Sequence, residues 1–260
     1  MNSKSIFFLI AFFLFVISSF PQDVFDYKSS VTCDSLAYKT IINPSLLDYQ
    51  PSISIMPYIF TKENSSEEKI REGGVFFTIY NFGFFYHTDF DTLNIFSASY
   101  GYELYNNFFI GYSNRWYNEN NILKEQFSLT YKPNTKLTIS SNFSHSLNNN
   151  SEPICLDTGF SYKPLVSKNI FIISALNFND FEFDDSSYNV GLSSYFITDK
   201  LQVTLGYENL FNSNDDGRTS LQFTYTYSGI IFGSLRSQFF DKSSDHMVNF
   251  MQYTFKKKDK

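Results

Sequence analysis

Cysteine, tryptophan and histidine are scarce in this chain: of 260 residues, two are Cys, one is Trp and three are His. Two cysteines exclude a disulfide-dense scaffold and a cysteine-rich metal fold. His87, His145 and His246 lack the close spacing of a zinc site, and no glycine-rich phosphate loop or Cys-x-x-Cys pair is present. Positive charge is also short. Twenty Lys and Arg against 26 Asp and Glu leave a net charge of -6, which argues against nucleic acid as a partner. Beyond the N-terminus there is no apolar run of the about 20 residues that a spanning helix needs.

Aromatic residues are abundant instead, at 20% of the chain, with 32 Phe and 19 Tyr. They fall in a repeating pattern of segments of about ten residues that alternate apolar and polar and end in turn-rich breaks. Leu201, Val203, Leu205 and Tyr207 interleave with Gln202, Thr204 and Glu208; Leu221, Phe223, Tyr225 and Tyr227 interleave with Ser220, Gln222, Thr224 and Thr226. A period of two puts one set on each face of a strand. Mean hydropathy is only -0.22, as expected where every second residue alone meets lipid.

The N-terminus bears on the compartment. Lys4 is the only charge in residues 1–22, residues 6–17 are continuously apolar, and Ser18-Ser19 supply small residues. This is the layout of a secretion signal. An exported chain with barrel periodicity predicts an all-β fold: one antiparallel transmembrane β-barrel in a bacterial outer membrane. The expected organisation is a signal peptide over 1–22, a periplasmic or lumen-inserted segment over 23–51, the barrel over 52–255, and a basic periplasmic tail over 256–260.

The regular series from residue 73 to residue 255 gives twelve strands. The stretch 73–88 is long for one strand, and Tyr80-Asn81 can turn it into two. Adding the alternating stretch 52–60 then makes fourteen, the preferred count; Pro57 marks that first strand as an edge or irregular one. The breaks alternate short and long, like periplasmic turns and external loops, which places both chain ends in the periplasm.

Charged residues on the expected lumen face are Arg115, Lys124, Asp157, Lys163, Glu208, Arg218 and Arg236. In a small barrel such groups pair and fill the interior; in a wider one they line a polar path. Alternation reveals no apolar stripe on the lumen face. Cys155 shares a face with Asp157 and Lys163, and Cys33 lies in the segment that could enter the lumen. A Cys33–Cys155 bridge would pin that segment inside, and two separate thiols are the alternative. Ser144 and His145 are adjacent and so point to opposite faces, which argues against a nucleophile–base pair. The acidic stretches around Asp184 and Asp215 lack the Gly and closing Glu of a calcium loop. No catalytic residue, metal ligand or cofactor is expected.

The stretch Ile42-Asn43-Pro44-Ser45-Leu46-Leu47 resembles the Asn-Pro-Ala-Leu-Leu segment found early in a class of bacterial outer-membrane barrels. That class includes FadL-type transporters and the PorV, PorQ and PorP-like proteins of type IX secretion. Asn81-Phe82-Gly83-Phe84, Gly111-Tyr112-Ser113 and Gly206-Tyr207-Glu208-Asn209 are similar in style to their strands. The chain departs from the pattern with Ser at position 45 and lacks an Ala/Gly-rich leader before the motif. The resemblance implies that Asn43 and Pro44 sit just before or inside the barrel mouth. With the modest loops and the mixed-charge lumen face, it points to a non-enzymatic accessory or scaffold component of an envelope secretion or surface-attachment system, with outer-membrane lipids and other envelope or secretion proteins as partners. A FadL-like or porin-like channel for small or hydrophobic solutes is the alternative. A soluble secreted β-sandwich is a further structural alternative.

Overall fold

The computed structural model describes residues 43–49, 52–64, 69–90, 93–118, 121–148, 154–165, 170–179, 182–196, 200–210, 218–239 and 244–255. Among these residues a short helix, α1 (Leu46–Tyr49), precedes fourteen strands. They are β1 (Ser52–Asn64), β2 (Lys69–Tyr80), β3 (Phe82–Thr88), β4 (Asn94–Tyr105), β5 (Phe108–Tyr117), β6 (Ile122–Asn134) and β7 (Leu137–Ser146). The second half is β8 (Cys155–Leu165), β9 (Ile170–Asn179), β10 (Glu182–Phe196), β11 (Leu201–Leu210), β12 (Arg218–Tyr227), β13 (Ile230–Phe239) and β14 (Ser244–Phe255). Each pairs antiparallel with its sequence neighbours, and β1 closes on β14. The expected signal peptide, Cys33 and the expected periplasmic tail lie outside the described residues.

The long stretch 73–88 does divide. Tyr80 takes a left-handed φ of 53° and Ile79 pairs with Phe82, so Tyr80-Asn81 is a two-residue hairpin turn. Ser228-Gly229, with φ of 50° and 85°, makes the same kind of turn between β12 and β13. Connections at this end of the barrel never exceed four residues, whereas at the other end they reach eight. The short-turn end is the periplasmic one in barrels of this kind. Pro57 sits in a closed wall, not at a free edge. It lacks the N–H that a ladder needs, and the β1–β14 register passes from Ile55↔Tyr253 directly to Tyr58↔Phe250.

Register divides every described strand into two faces. On β14, Val248, Phe250 and Gln252 are buried, while Met247, Met251, Tyr253 and Phe255 are exposed. Carried around the ladder, the exposed set includes Ile59, Phe84, Phe96, Ile139, Phe160, Leu205 and Phe223. An apolar outer surface this extensive is stable against lipid and not against water. The closed ladder leaves no free sheet edge, as a bilayer requires.

Candidate channel lumen

The inward face has two unlike halves. One is apolar: Met56, Tyr58 and Phe60 on β1, Phe76 on β2, Phe85 on β3, Ile95 on β4, and Val248 and Phe250 on β14 form one buried cluster. Phe76 and Phe85 stack with centroids 4.6 Å apart, and Tyr58 lies 5.5 Å from Phe76. Gly233, opposite Phe250 in register, makes room for that ring: a Cβ there would come within 2.1 Å of it. The expectation of no apolar stripe in the lumen is therefore corrected. Runs such as Val75-Phe76-Phe77 and Phe84-Phe85-Tyr86 are apolar on both faces, so alternation carries no signal there.

Buried within this half is a polar relay. Tyr58 Oη lies 2.6 Å from His87 Nδ1, and His87 Nε2 lies 3.1 Å from Glu72 Oε2. His87 is 3% exposed, so its two nitrogens need these partners. Glycine at 74 accommodates the arrangement, because a Cβ there would meet Tyr58 Oη at 2.7 Å. Substituting His87 by Ala strands a hydroxyl and a carboxylate and should cost about 1–3 kcal/mol. A lowered temperature for the heat-dependent gel shift of the folded barrel would register that loss.

The other half is lined by small polar side chains, and a segment preceding β1 docks there. Leu46 N and Leu47 N bond the carbonyls of Asn43 and Pro44, both at 3.1 Å, starting α1. Asn43 Nδ2 donates to Thr130 Oγ1 at 3.1 Å, and Ser45 N donates to Ser128 Oγ at 2.8 Å. Ser45 Oγ gives its proton to Asn43 Oδ1 at 2.6 Å. Thr130 must then donate to Ser45 across their 2.7 Å contact, leaving Ser140 to donate to Thr130 at 2.7 Å. The hydroxyls of Ser45, Thr130 and Ser140 thus each donate once. Serine in place of the alanine of the resembling motif thus contributes two of its bonds. Gly101 and Gly111, opposite each other on β4 and β5, form the floor. A Cβ on Gly111 would meet Ser45 N at 2.1 Å, and one on Gly101 would meet Pro44 O at 2.4 Å. Leu46 and Leu47 are fully buried, and Asp48 accepts a bond from Glu103 N. Asn43 and Pro44 therefore lie against the inner wall, in its periplasmic half.

The charged residues expected in the lumen divide as follows. Arg115 and Lys124 are register partners on the inward face; Arg115 donates to Tyr117 Oη at 3.1 Å, and Lys124 Nζ lies 5.4 Å from the Tyr117 ring centre. Asp157 faces inward between Asn142 and Asn177, two residues from Cys155. Glu208 and Arg218 are direct register partners, but their side chains, like that of Lys163, lie outside the described residues. Arg236 departs from the expectation. It pairs with Met247 on the outward face, because Gly233 and Leu235 hold the inward positions of β13. It lies toward the external end, where an arginine can extend its head to water.

Barrel closure, strand count and the two-faced wall decide the architecture. The fold is that of an outer-membrane β-barrel. Solved structures agree. The toluene transporter TbuX of Ralstonia pickettii superposes with a TM-score of 0.61 at 8% identity, over 86% of this chain and 95% of that one. The CymD monoaromatic hydrocarbon channel gives 0.59 at 11% identity, over 87% and 94%. Omp33 of Acinetobacter baumannii gives 0.58 at 11% identity, over 78% and 99%. No protein-family model matches the chain, and no curated protein sequence does. What these structures share with the chain is the outer-membrane β-barrel fold, the coarser part of the resemblance.

Proposed function

We propose that this barrel is an outer-membrane channel for small apolar solutes, held closed by its own residues 43–49. The buried aromatic stripe on the lumen face carries this reading. A barrel serving only as a scaffold has no need of Met56, Phe76, Phe85 and Phe250 on its inner wall, where polar side chains would pair and fill the space. For an apolar solute, such a stripe replaces water with favourable contact. A hydrocarbon channel and a toluene transporter among the solved structures of the same fold support it. The accessory or scaffold role in an envelope secretion or surface-attachment system draws on the resemblance of residues 42–47, the modest loops and the mixed-charge lumen, and ranks second.

The test is uptake of labelled toluene and labelled glucose by cells carrying the barrel in their outer membrane, against cells without it. Faster toluene entry with unchanged glucose entry is the expected result. Equal entry with and without the barrel would return the accessory role to first place.

A further inference from the structure

One row of the lumen wall runs from aromatic rings to cations. Phe76, Phe85, Ser97, Arg115 and Lys124, on β2 to β6, are consecutive register partners on the inward face. Phe76 and Phe85 belong to the buried apolar cluster. Arg115 and Lys124 stand directly opposite each other, with Arg115 two residues from the external end of β5. Like charges placed in this way repel. Among the described residues, the inward faces of β4 to β7 carry one carboxylate, Glu103, and it lies at the far, periplasmic end of β4.

Tyr117 joins the two ends of this row. Its ring packs against the apolar cluster, its hydroxyl accepts a bond from Arg115 Nη1 at 3.1 Å, and Lys124 Nζ lies 5.4 Å from its ring centre. Both cationic heads therefore gather around one tyrosine at the flank of the aromatic stripe. Ser97 stands between Phe85 and Arg115. It is 7% exposed, and its hydroxyl is buried without a hydrogen-bond partner. A buried hydroxyl of this kind is a donor that a folded wall does not ordinarily leave unused.

We infer that this row binds a small aromatic carboxylate, its ring toward Phe85 and its acid group at Arg115 and Lys124. The inference rests on the channel reading above and names the class of solute. Strands about 4.8 Å apart place Phe85 and Arg115 roughly 10 Å from each other along the wall, a span for one ring and its acid group rather than for a long chain. Arg115 keeps its bond to Tyr117 on one edge and turns its remaining N–H groups to the carboxylate. Lys124 supplies the second cation, and Ser97 supplies a neutral donor on the side of the ring. The bound anion also relieves the repulsion between Arg115 and Lys124. An aromatic ammonium meets two like charges here, and an acid without a ring leaves the stripe untouched. The site therefore selects for ring and charge together.

The full chain in phosphatidylcholine nanodiscs is titrated calorimetrically with benzoate, benzylammonium, acetate and inorganic phosphate at low ionic strength. Benzoate should bind about tenfold more tightly than each of the other three, a ratio that one charge-assisted hydrogen bond or one buried ring is sufficient to give. Arg115→Gln should lower benzoate affinity about tenfold. Arg115→Lys, which keeps the charge and loses the planar fork, should lower it less. If Arg115→Gln does not assemble, Lys124→Gln reads the same loss. Benzoate affinity that survives these substitutions, equal binding of benzylammonium, or binding of phosphate alone overturns the proposal. Toluene entry into cells without benzoate binding keeps the channel and overturns the aromatic acid as its solute. Benzoate binding without toluene entry keeps the site and overturns the channel for apolar solutes.

Discussion

Valine at position 111 should free residues 43–48 from the inner wall and raise the open fraction of the reconstituted barrel in planar bilayers. The reason is a backbone contact. A Cβ at position 111 would stand 2.1 Å from Ser45 N and 2.4 Å from Pro44 C, main-chain atoms that cannot swing aside as a side-chain tip can. Ser45 N would have to leave Ser128 Oγ, its 2.8 Å partner. Asn43, two residues back, would lose register with Thr130. Overpacking of this kind costs about 1–3 kcal/mol, which moves a closed-to-open ratio by roughly 5- to 150-fold. The neighbouring substitution Ile110→Val changes volume on the outward face and should leave conductance as it was. Identical traces for Gly111→Val and wild type would mean that this segment does not close the lumen.

Such a plug was only half legible in the sequence. Asn43-Pro44 announces a turn, since Pro44 holds its own φ and biases Asn43 to an extended shape. Nothing in six residues says which wall they touch, because their hydroxyl partners are a Ser and a Thr on β6 of a kind that any polar lumen contains. Strand number was better marked. Tyr80-Asn81 interrupts an apolar stretch with a residue able to turn, and the barrel does split there. Facing was legible wherever one face is polar, as on β11 and β12. It was lost on β1 to β3, where aromatic residues occupy both faces, and on β13. There Ile230 and Phe232 point out while Ile231 and Leu235 point in, and charge alone suggested an inward Arg236. Glu125 stands between Lys124 and Gln126, which face inward, so alternation alone turns it outward, and the ladder agrees.

Adjacent lysines on β11 should behave oppositely, and the sign of the difference decides what surrounds the barrel. Leu205 is mid-strand, 49% exposed and flanked in register by Leu192 and Leu221 on the outward face. Thr204 is turned to the lumen between Ser193 and Gln222. In a bilayer, Leu205→Lys places a charge against hydrocarbon near the midplane and should cost about 2–4 kcal/mol. Thr204→Lys puts the same charge among polar side chains and should cost roughly 1 kcal/mol or less. Urea titrations of the two variants folded into vesicles, followed by the heat-dependent gel shift, measure both. A soluble β-sandwich reverses the order: replacing a half-exposed leucine by lysine would then be neutral or favourable, and the inward lysine would be the damaging one. Arg236 fits the membrane reading because it lies near the external end of β13, level with Met247, where its chain can cover apolar surface while its guanidinium stays wet. Moved to the depth of Leu205, the same charge has no such route to water.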